Sequence, residues 1–159
     1  MKIGVISDTH IPSKARMIPE IVLNSFKGVD LIIHAGDIIQ KKVLDILAQV
    51  APVQAVSGNI DPQPLRETLP DTLEMELEGF KIAVIHGHKV RGHLMNTLGL
   101  MFPEADIIIF GHTHKPCNEI ITGQLHFNPG SPTDKRWQKK HSFGIIELGD
   151  EIQAEIIEF

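Results

Sequence analysis

The stretch KIGVISDTH, Lys2 through His10, is a short apolar run that ends on an aspartate and a histidine two positions apart. The same plan returns four more times. DLIIHAGD ends at Asp37, VQAVSGN at Asn59, KIAVIH at His86, and DIIIFGHTH at His112 and His114. Apolar runs of this length bounded by turn residues read as buried strands. In open α/β sheets the loops beyond the carboxyl ends of such strands share one crevice. Seven polar side chains spread over more than a hundred positions are therefore expected to meet at one site.

Working outward from these runs, strands are predicted over 2–7, 30–34 and 53–56, with helices over 18–27 and 40–49 between them. Pro19 suits a first helical turn, and Val43, Leu44, Ile46 and Leu47 make one apolar face. Residues 58–70 contain Pro62, Pro64 and Pro70 and are predicted to form an irregular loop with no regular element. Residues 72–78 alternate apolar with polar, and Glu78-Gly79 separates them from a strand over 81–85, so a hairpin and a mixed sheet are expected. A helix over 90–101 and strands near 106–110, 119–121, 125–127, 143–148 and 153–157 complete the reading. No repeat or linker divides the chain, so one α/β domain over 1–159 with more than one sheet layer is expected.

Composition narrows the function classes. The 42% hydrophobic and 22% charged fractions belong to a globular chain, and the apolar runs are too short to span a bilayer. One cysteine makes no internal disulfide and the first ten residues lack a basic-then-apolar leader, so the cytosol is the expected compartment, with no membrane partner. A net charge of −5 argues against broad nucleic-acid binding. Nine histidines and no tyrosine are the anomaly, and most of these histidines stand beside glycine or aspartate rather than in helical stripes.

Asp8, His10, Asp37, Asn59, His86, His112 and His114 together offer two carboxylates, one amide oxygen and four imidazoles. This mixed N/O set suits manganese, iron, nickel, cobalt or zinc, with manganese the first choice, rather than copper(I) or a thiolate cluster. Within Asp8-Thr9-His10 and His112-Thr113-His114, alternate side chains of extended backbone point the same way, so each pair is expected to grip one centre. Gly36, Gly58, Gly87 and Gly111 are expected to supply sharp turns and positive φ at the strand ends. Seven donors exceed the needs of one catalytic ion. With Asp37 bridging, two ions each receive four protein ligands and keep room for water, as in two-metal phosphoryl hydrolases. Two dications against two carboxylates leave an excess of positive charge that attracts phosphate and acidifies a bridging water, the expected nucleophile.

Asp8-x-His10, Gly36-Asp37, Gly58-Asn59, His86-Gly87-His88 and Gly111-His112-Thr113-His114, in this order, resemble the calcineurin-like metallophosphoesterase superfamily. The short length and Asn128-Pro129-Gly130-Ser131 are similar to its small single-domain branch of prokaryotic phosphodiesterases, related to the retromer sorting subunit of eukaryotes. The resemblance implies two facing mixed β-sheets flanked by helices, a four-layer α/β/β/α sandwich. It also implies Asp8, His10, Asp37 and His114 around one ion, and Asp37, Asn59, His86 and His112 around the other. Many superfamily members follow the asparagine with a histidine that protonates the leaving group. Here Ile60 stands there and cannot donate a proton, so a phosphodiesterase acting on a small, activated or nucleotide-derived diester is favoured over a monoesterase.

Asp37 and Asn59 are the candidate catalytic residues, with His88 as a substrate contact, a substitute acid or an orienting hydrogen-bond partner. Asp61 is open to orienting a neighbouring ligand or forming a turn beside Pro62, His34 is read as structural, and His93 and His126 as surface or structural. Cys117 is read as a small packing residue, Asn128-Pro129-Gly130-Ser131-Pro132 as a turn that is also able to lie near the site, and the basic segment 135–141 around Trp137 as a solvated loop also able to hold a base or phosphate. The rival function is a scaffold that kept the fold, with Leu94, Met95, Leu98, Leu100, Met101 and Phe102 as an interface to a partner or to a second copy in a homo-oligomer. A binuclear amidohydrolase is disfavoured, because its barrel needs about 250 residues and its His-x-His pair comes first.

Overall fold

An apolar strand covered on both faces sends alternate side chains into two different layers, and this alternation builds the molecule. The computed structural model describes residues 1–159. In chain order the first elements are β1 (Lys2–Ile6), α1 (Glu20–Ser25), β2 (Leu31–His34), α2 (Lys41–Leu47), β3 (Val53–Ala55), α3 (Gln63–Thr68) and β4 (Thr72–Leu77). There follow β5 (Phe80–Ile85), α4 (Leu94–Met101), β6 (Ile107–Phe110), β7 (Cys117–Ile121), β8 (Gln124–Asn128), β9 (Ser142–Leu148) and β10 (Ile152–Glu158). One sheet has the order β10-β9-β1-β2-β3 and the other β4-β5-β6-β8-β7. Each is mixed: β1, β2 and β3 run parallel, as do β5, β6 and β8, with antiparallel strands outside them.

Three apolar clusters fill the spaces between four layers. Ile3, Val5, Leu31 and Ile33 of one sheet meet Ile82, Val84, Ile107, Ile109 and Phe127 of the other in the central cluster. On the outer face of the first sheet, Ile6, Ile32 and Phe143 pack against Val22 and Phe26 of the α1 region and Val43 and Leu47 of α2. On the outer face of the second, Ala83, Ile85, Ile108 and Phe110 receive Leu98 and Phe102 of the α4 region. The expected four-layer α/β/β/α arrangement is the one observed. Asn118 on β7 also donates from Nδ2 to the Ala154 carbonyl on β10 at 2.7 Å, tying the sheets together. No helix is long and apolar enough to cross a membrane.

Two local expectations are corrected. Residues 58–70 do hold a regular element, α3, because its prolines sit at the amino end, where a helix does not use its N–H groups. Pro62 precedes the first turn and its carbonyl accepts from Leu65 and Arg66, while Leu65 is buried in the outer cluster. The helix predicted over 90–101 starts only at Leu94, because Gly92 at φ 87° turns the chain just before it.

Phe127 is fully buried between the sheets. Phe127→Ala is expected to lower the free energy of unfolding by about 3–5 kcal/mol, read as a lower urea midpoint at unchanged slope.

Candidate metal centre

The parallel strands deliver their carboxyl ends to one side. β1 runs into Asp8 and His10, β2 into Asp37, β3 into Asn59, β5 into His86 and His88, and β6 into His112 and His114. Backbone hydrogen bonds stitch these loops together: Asp8 donates to the Gly36 carbonyl at 3.0 Å, His10 to that of Asp37 at 3.1 Å, and Gly111 to that of His86 at 3.1 Å.

The paired motifs do not use extended alternation. Asp8, His10, Asp37, His112 and His114 have φ of 54°, 47°, 58°, 67° and 57°, in the left-handed region that residues other than glycine rarely occupy. The chain therefore coils tightly at each strand end and turns consecutive motif residues toward the centre, at a cost of about 1–3 kcal/mol each. Gly36 and Gly87 carry the positive φ expected of them, at 94° and 102°. Gly58 and Gly111 instead make room. A Cβ on Gly58 would lie 2.0 Å from Asp37 Oδ1, and one on Gly111 2.0 Å from Ser7 Oγ.

Each carboxylate is anchored by one oxygen and presents the other. Asp8 Oδ2 accepts from Ser7 Oγ at 2.6 Å and from the His112 amide at 2.9 Å. Its Oδ1 has no hydrogen-bond partner and lies 3.2, 3.6 and 4.0 Å from Nε2 of His114, His10 and His86. Asp37 Oδ1 accepts from the Ile60 amide at 3.0 Å, while its Oδ2 lies 3.3 Å from His86 Nε2 and 3.5 Å from His10 Nε2. Nδ1 of His86 donates to the Ala35 carbonyl at 2.7 Å and Nδ1 of His114 to that of Asp134 at 2.5 Å. Because a carbonyl only accepts, Nδ1 keeps its proton in either charge state, and Nε2 is the nitrogen left facing inward.

Asp8 Oδ1 and Nε2 of His10, His86 and His114 are buried without any hydrogen-bond partner. Such orphaned atoms are rare in folded proteins. Converging lone pairs of carboxylate and imidazole are the donor set that a divalent cation satisfies. Two groups have donor atoms close enough to share an ion: Asp8 with His10 and His114, and Asp8 with Asp37 and His86. His112 is half-buried, its ring centroid 5.2 Å from that of His86, whereas the His114 ring lies 4.9 Å from that of His10. The pair thus straddles the centre instead of gripping one point. Asn59 is exposed, between Gly58 and Ile60, both of which touch Asp37.

Burial raises the Asp8 carboxyl, but His10, His114 and His86 outweigh it and hold it well below the usual carboxylate range. Asp37 is likewise held down against its own burial, chiefly by His86 and by the Ile60 amide. His86 and His114 are raised, because the facing carboxylates outweigh desolvation. His112 and His88 are lowered by burial and by the charge of His86. The centre is therefore built around ionised carboxylates that require cationic company.

The surrounding residues hold the loops in place. Asp61 is buried and accepts from four amides, those of Asp37 at 3.2 Å, Ile38 at 2.6 Å, Ile39 at 2.7 Å and Gly58 at 2.7 Å, which locks the Asp37 loop to the Asn59 loop. His34 accepts from the Gly36 amide at Nδ1 and donates from Nε2 to Thr9 Oγ1 at 3.1 Å, so it is neutral, and burial pushes it down to about 4. Ser131, in the predicted turn, and Asp134, which no sequence signal marks, both reach the site. Ser131 Oγ donates to the Asp8 carbonyl at 2.7 Å and accepts from the Asp134 amide at 2.8 Å, placing the carbonyl that orients His114. The only trace of Ser131 in the sequence is the Asn128-Pro129-Gly130-Ser131 turn chemistry. His126 is buried and His93 exposed, and half-buried Cys117 is pushed up to about 11 by burial.

Two mixed five-stranded sheets with aspartates and histidines gathered at their carboxyl ends define a metallophosphoesterase. The chain belongs to the calcineurin-like phosphoesterase superfamily, whose domain model matches residues 1–151. It is 42% identical over 160 residues to a probable metallophosphoesterase of Methanothermobacter thermautotrophicus, covering 99% of this chain and 92% of that one. It is 31% identical to a phosphodiesterase of Methanocaldococcus jannaschii, over 82% of this chain and 83% of the other. Among solved structures, wild-type Vps29 of Entamoeba histolytica complexed with zinc superposes with a TM-score of 0.82 at 27% identity, covering 99% of each chain.

An unfolded histidine titrates near about 6.5, whereas His34 refuses a proton until about 4. The unfolded chain binds the extra proton between these values, so His34 makes the metal-free protein lose stability as pH falls from about 6.5 to about 4, by about 3 kcal/mol in all. Urea unfolding across this range is expected to show a smaller loss for His34→Gln than for wild type. Asp61→Ala leaves four amides unpaired and is expected to destabilise by at least about 3 kcal/mol, measured in the same assay at neutral pH.

Proposed function

We propose that this protein is a phosphodiesterase that uses two divalent metal ions to hydrolyse a small phosphodiester. The observation that carries the reading is the convergence of buried, partnerless Nε2 atoms on two carboxylate oxygens: those of His10, His86 and His114 on Asp8 Oδ1, and those of His10 and His86 on Asp37 Oδ2. Asp8, His10, Asp37 and His114 would hold one ion, and Asp37, Asn59, His86 and His112 the other. Asp37 suits the shared position because its Oδ2 faces histidines of both sets while Ile60 holds its Oδ1. The donors favour manganese, with nickel, iron, cobalt and zinc compatible, and a zinc-complexed structure of the same fold supports a metal role. When bound, the two ions supply Lewis acidity to the phosphoryl group and acidify a water between them.

The chain's own residues do the rest. The two carboxylates leave an ion pair under-neutralised, so the site draws an anionic ester. The Nδ1–carbonyl bonds of His86 and His114 hold their rings in the ligating tautomer before any ion arrives. At position 60 an isoleucine, 41% exposed, faces outward and supplies no proton. His88 is half-buried, its ring centroid 5.4 Å from His86 and 6.3 Å from His112, with Nδ1 lacking a partner. Burial and the positive charges of His86 and Lys89 lower its affinity for a second proton, and its ring is placed to serve as a hydrogen-bond contact for a phosphate oxygen. Without general-acid help worth about 10²–10⁴-fold, good leaving groups are preferred. The scaffold alternative draws little support from α4: Leu98 and Phe102 are buried, Leu94 and Met95 pack against the core, and Leu100 and Met101 alone stay exposed.

Metal-stripped protein resupplied with manganese or nickel is expected to hydrolyse bis-(para-nitrophenyl) phosphate faster than the monoester, with Asp37→Asn and His112→Ala abolishing turnover. Equal, metal-independent rates in wild type and variants would overturn the assignment.

A further inference from the structure

Beside the metal centre the surface carries a cleft of about 520 Å³ that includes His10 in its wall. Its other walls are Ser13, Lys14, Ile60, Asp134, Arg136 and Trp137. Trp137 is the single tryptophan of the chain and is 95% exposed, packing on no core cluster. It lies in a turn closed by the Gln138 amide on the Lys135 carbonyl at 2.8 Å, with its ring open to a ligand. Two cations stand beside it. Lys14 Nζ is 3.8 Å and Arg136 Nε 4.0 Å from Asp134 Oδ2, so one carboxylate positions both and leaves one positive charge in excess. Asp134 is itself fixed at the metal centre, through its amide on Ser131 Oγ and its carbonyl on His114. The cleft is thus held to the site through two independent contacts.

An open aromatic face, a rim of cations and a shared wall with a phosphate-attracting centre are complementary to one ligand chemistry: an anionic ester joined to a planar heteroaromatic ring. We infer that the cleft formed by Lys14, Ile60, Arg136 and Trp137 is a nucleoside subsite, and that the substrate is a nucleotide diester whose base stacks on Trp137 while its phosphate lies at the metal centre. Ile60, 41% exposed in the cleft wall, supplies an apolar edge for the sugar and base. The inference rests on the phosphodiesterase reading for the reaction, but the stacking contact exists without turnover.

The test uses two diesters with the same para-nitrophenolate leaving group, one of thymidine and one of methanol, on the manganese-loaded full chain. The ratio of their kcat/KM values is expected to favour the thymidine ester. Trp137→Ala is expected to lower that ratio about tenfold, in the range that loss of a stacked base produces, and Trp137→Phe to retain most of it. Separately, adenylate is expected to quench the fluorescence of Trp137 in the wild type, and ribose phosphate is not. An unchanged ratio in Trp137→Ala together with absent quenching overturns the subsite while leaving the phosphodiesterase reading intact. Quenching without turnover of either diester supports the subsite and overturns that reading. A shift of Trp137→Ala in size-exclusion elution with no change in the ratio assigns Trp137 to a contact between copies and also overturns the subsite.

Discussion

Two ionised carboxylates, Asp8 and Asp37, are buried among histidines at the carboxyl ends of the central strands, and the rest of the structure answers to them. A buried charge is tolerated only when it is hydrogen-bonded and accompanied by opposite charge. Ser7 and the His112 amide meet one oxygen of Asp8, and the Ile60 amide meets one oxygen of Asp37. The remaining oxygens are turned toward imidazole Nε2 atoms that have no other partner. Protein groups alone leave this cluster incomplete, which is why its chemistry is that of a cation site and not of a structural ion pair.

Holding the cluster together requires backbone that most sequences avoid. Five of the seven candidate ligands are left-handed, a combined strain that only an over-determined surrounding sustains. The over-determination is visible. Asp61 gathers four amides from two loops, Ser131 spans from the last loop to the first, and neutral His34 fills both of its ring nitrogens from Thr9 and Gly36. These polar supports stand on three apolar clusters separated by the two sheets, so a rigid sandwich carries strained loops at one edge. The candidate metal centre thus sits where the backbone is least relaxed and its support is densest.

Much of this was readable before any coordinates. Short apolar runs ending in Asp, Asn or His announce strands whose ends converge, and the ends of β1, β2, β5 and β6 bring Asp8, His10, Asp37, His86 and His114 together. Other features were illegible because they are non-local. The short helix Gln63–Thr68 hides behind three prolines, whose helix-breaking effect depends on position rather than on presence. The left-handed conformations of Asp8 and His10 arise from hydrogen bonds to Gly36 and Asp37 in another loop, so spacing alone suggested extended backbone.

The sequence by itself determined the alternation of strands and helices, the kinds of donor atom available, and the loss of a proton donor at Ile60, since each depends on side-chain chemistry or on neighbours within a few residues. The tertiary structure decided which oxygen of each carboxylate is free, which nitrogen of each histidine faces inward, and that exposed Trp137 lines the same cleft as His10. Those facts follow from backbone groups of distant segments, Ala35 for His86 and Asp134 for His114, whose approach is dictated by the packing of two sheets and by no local pattern.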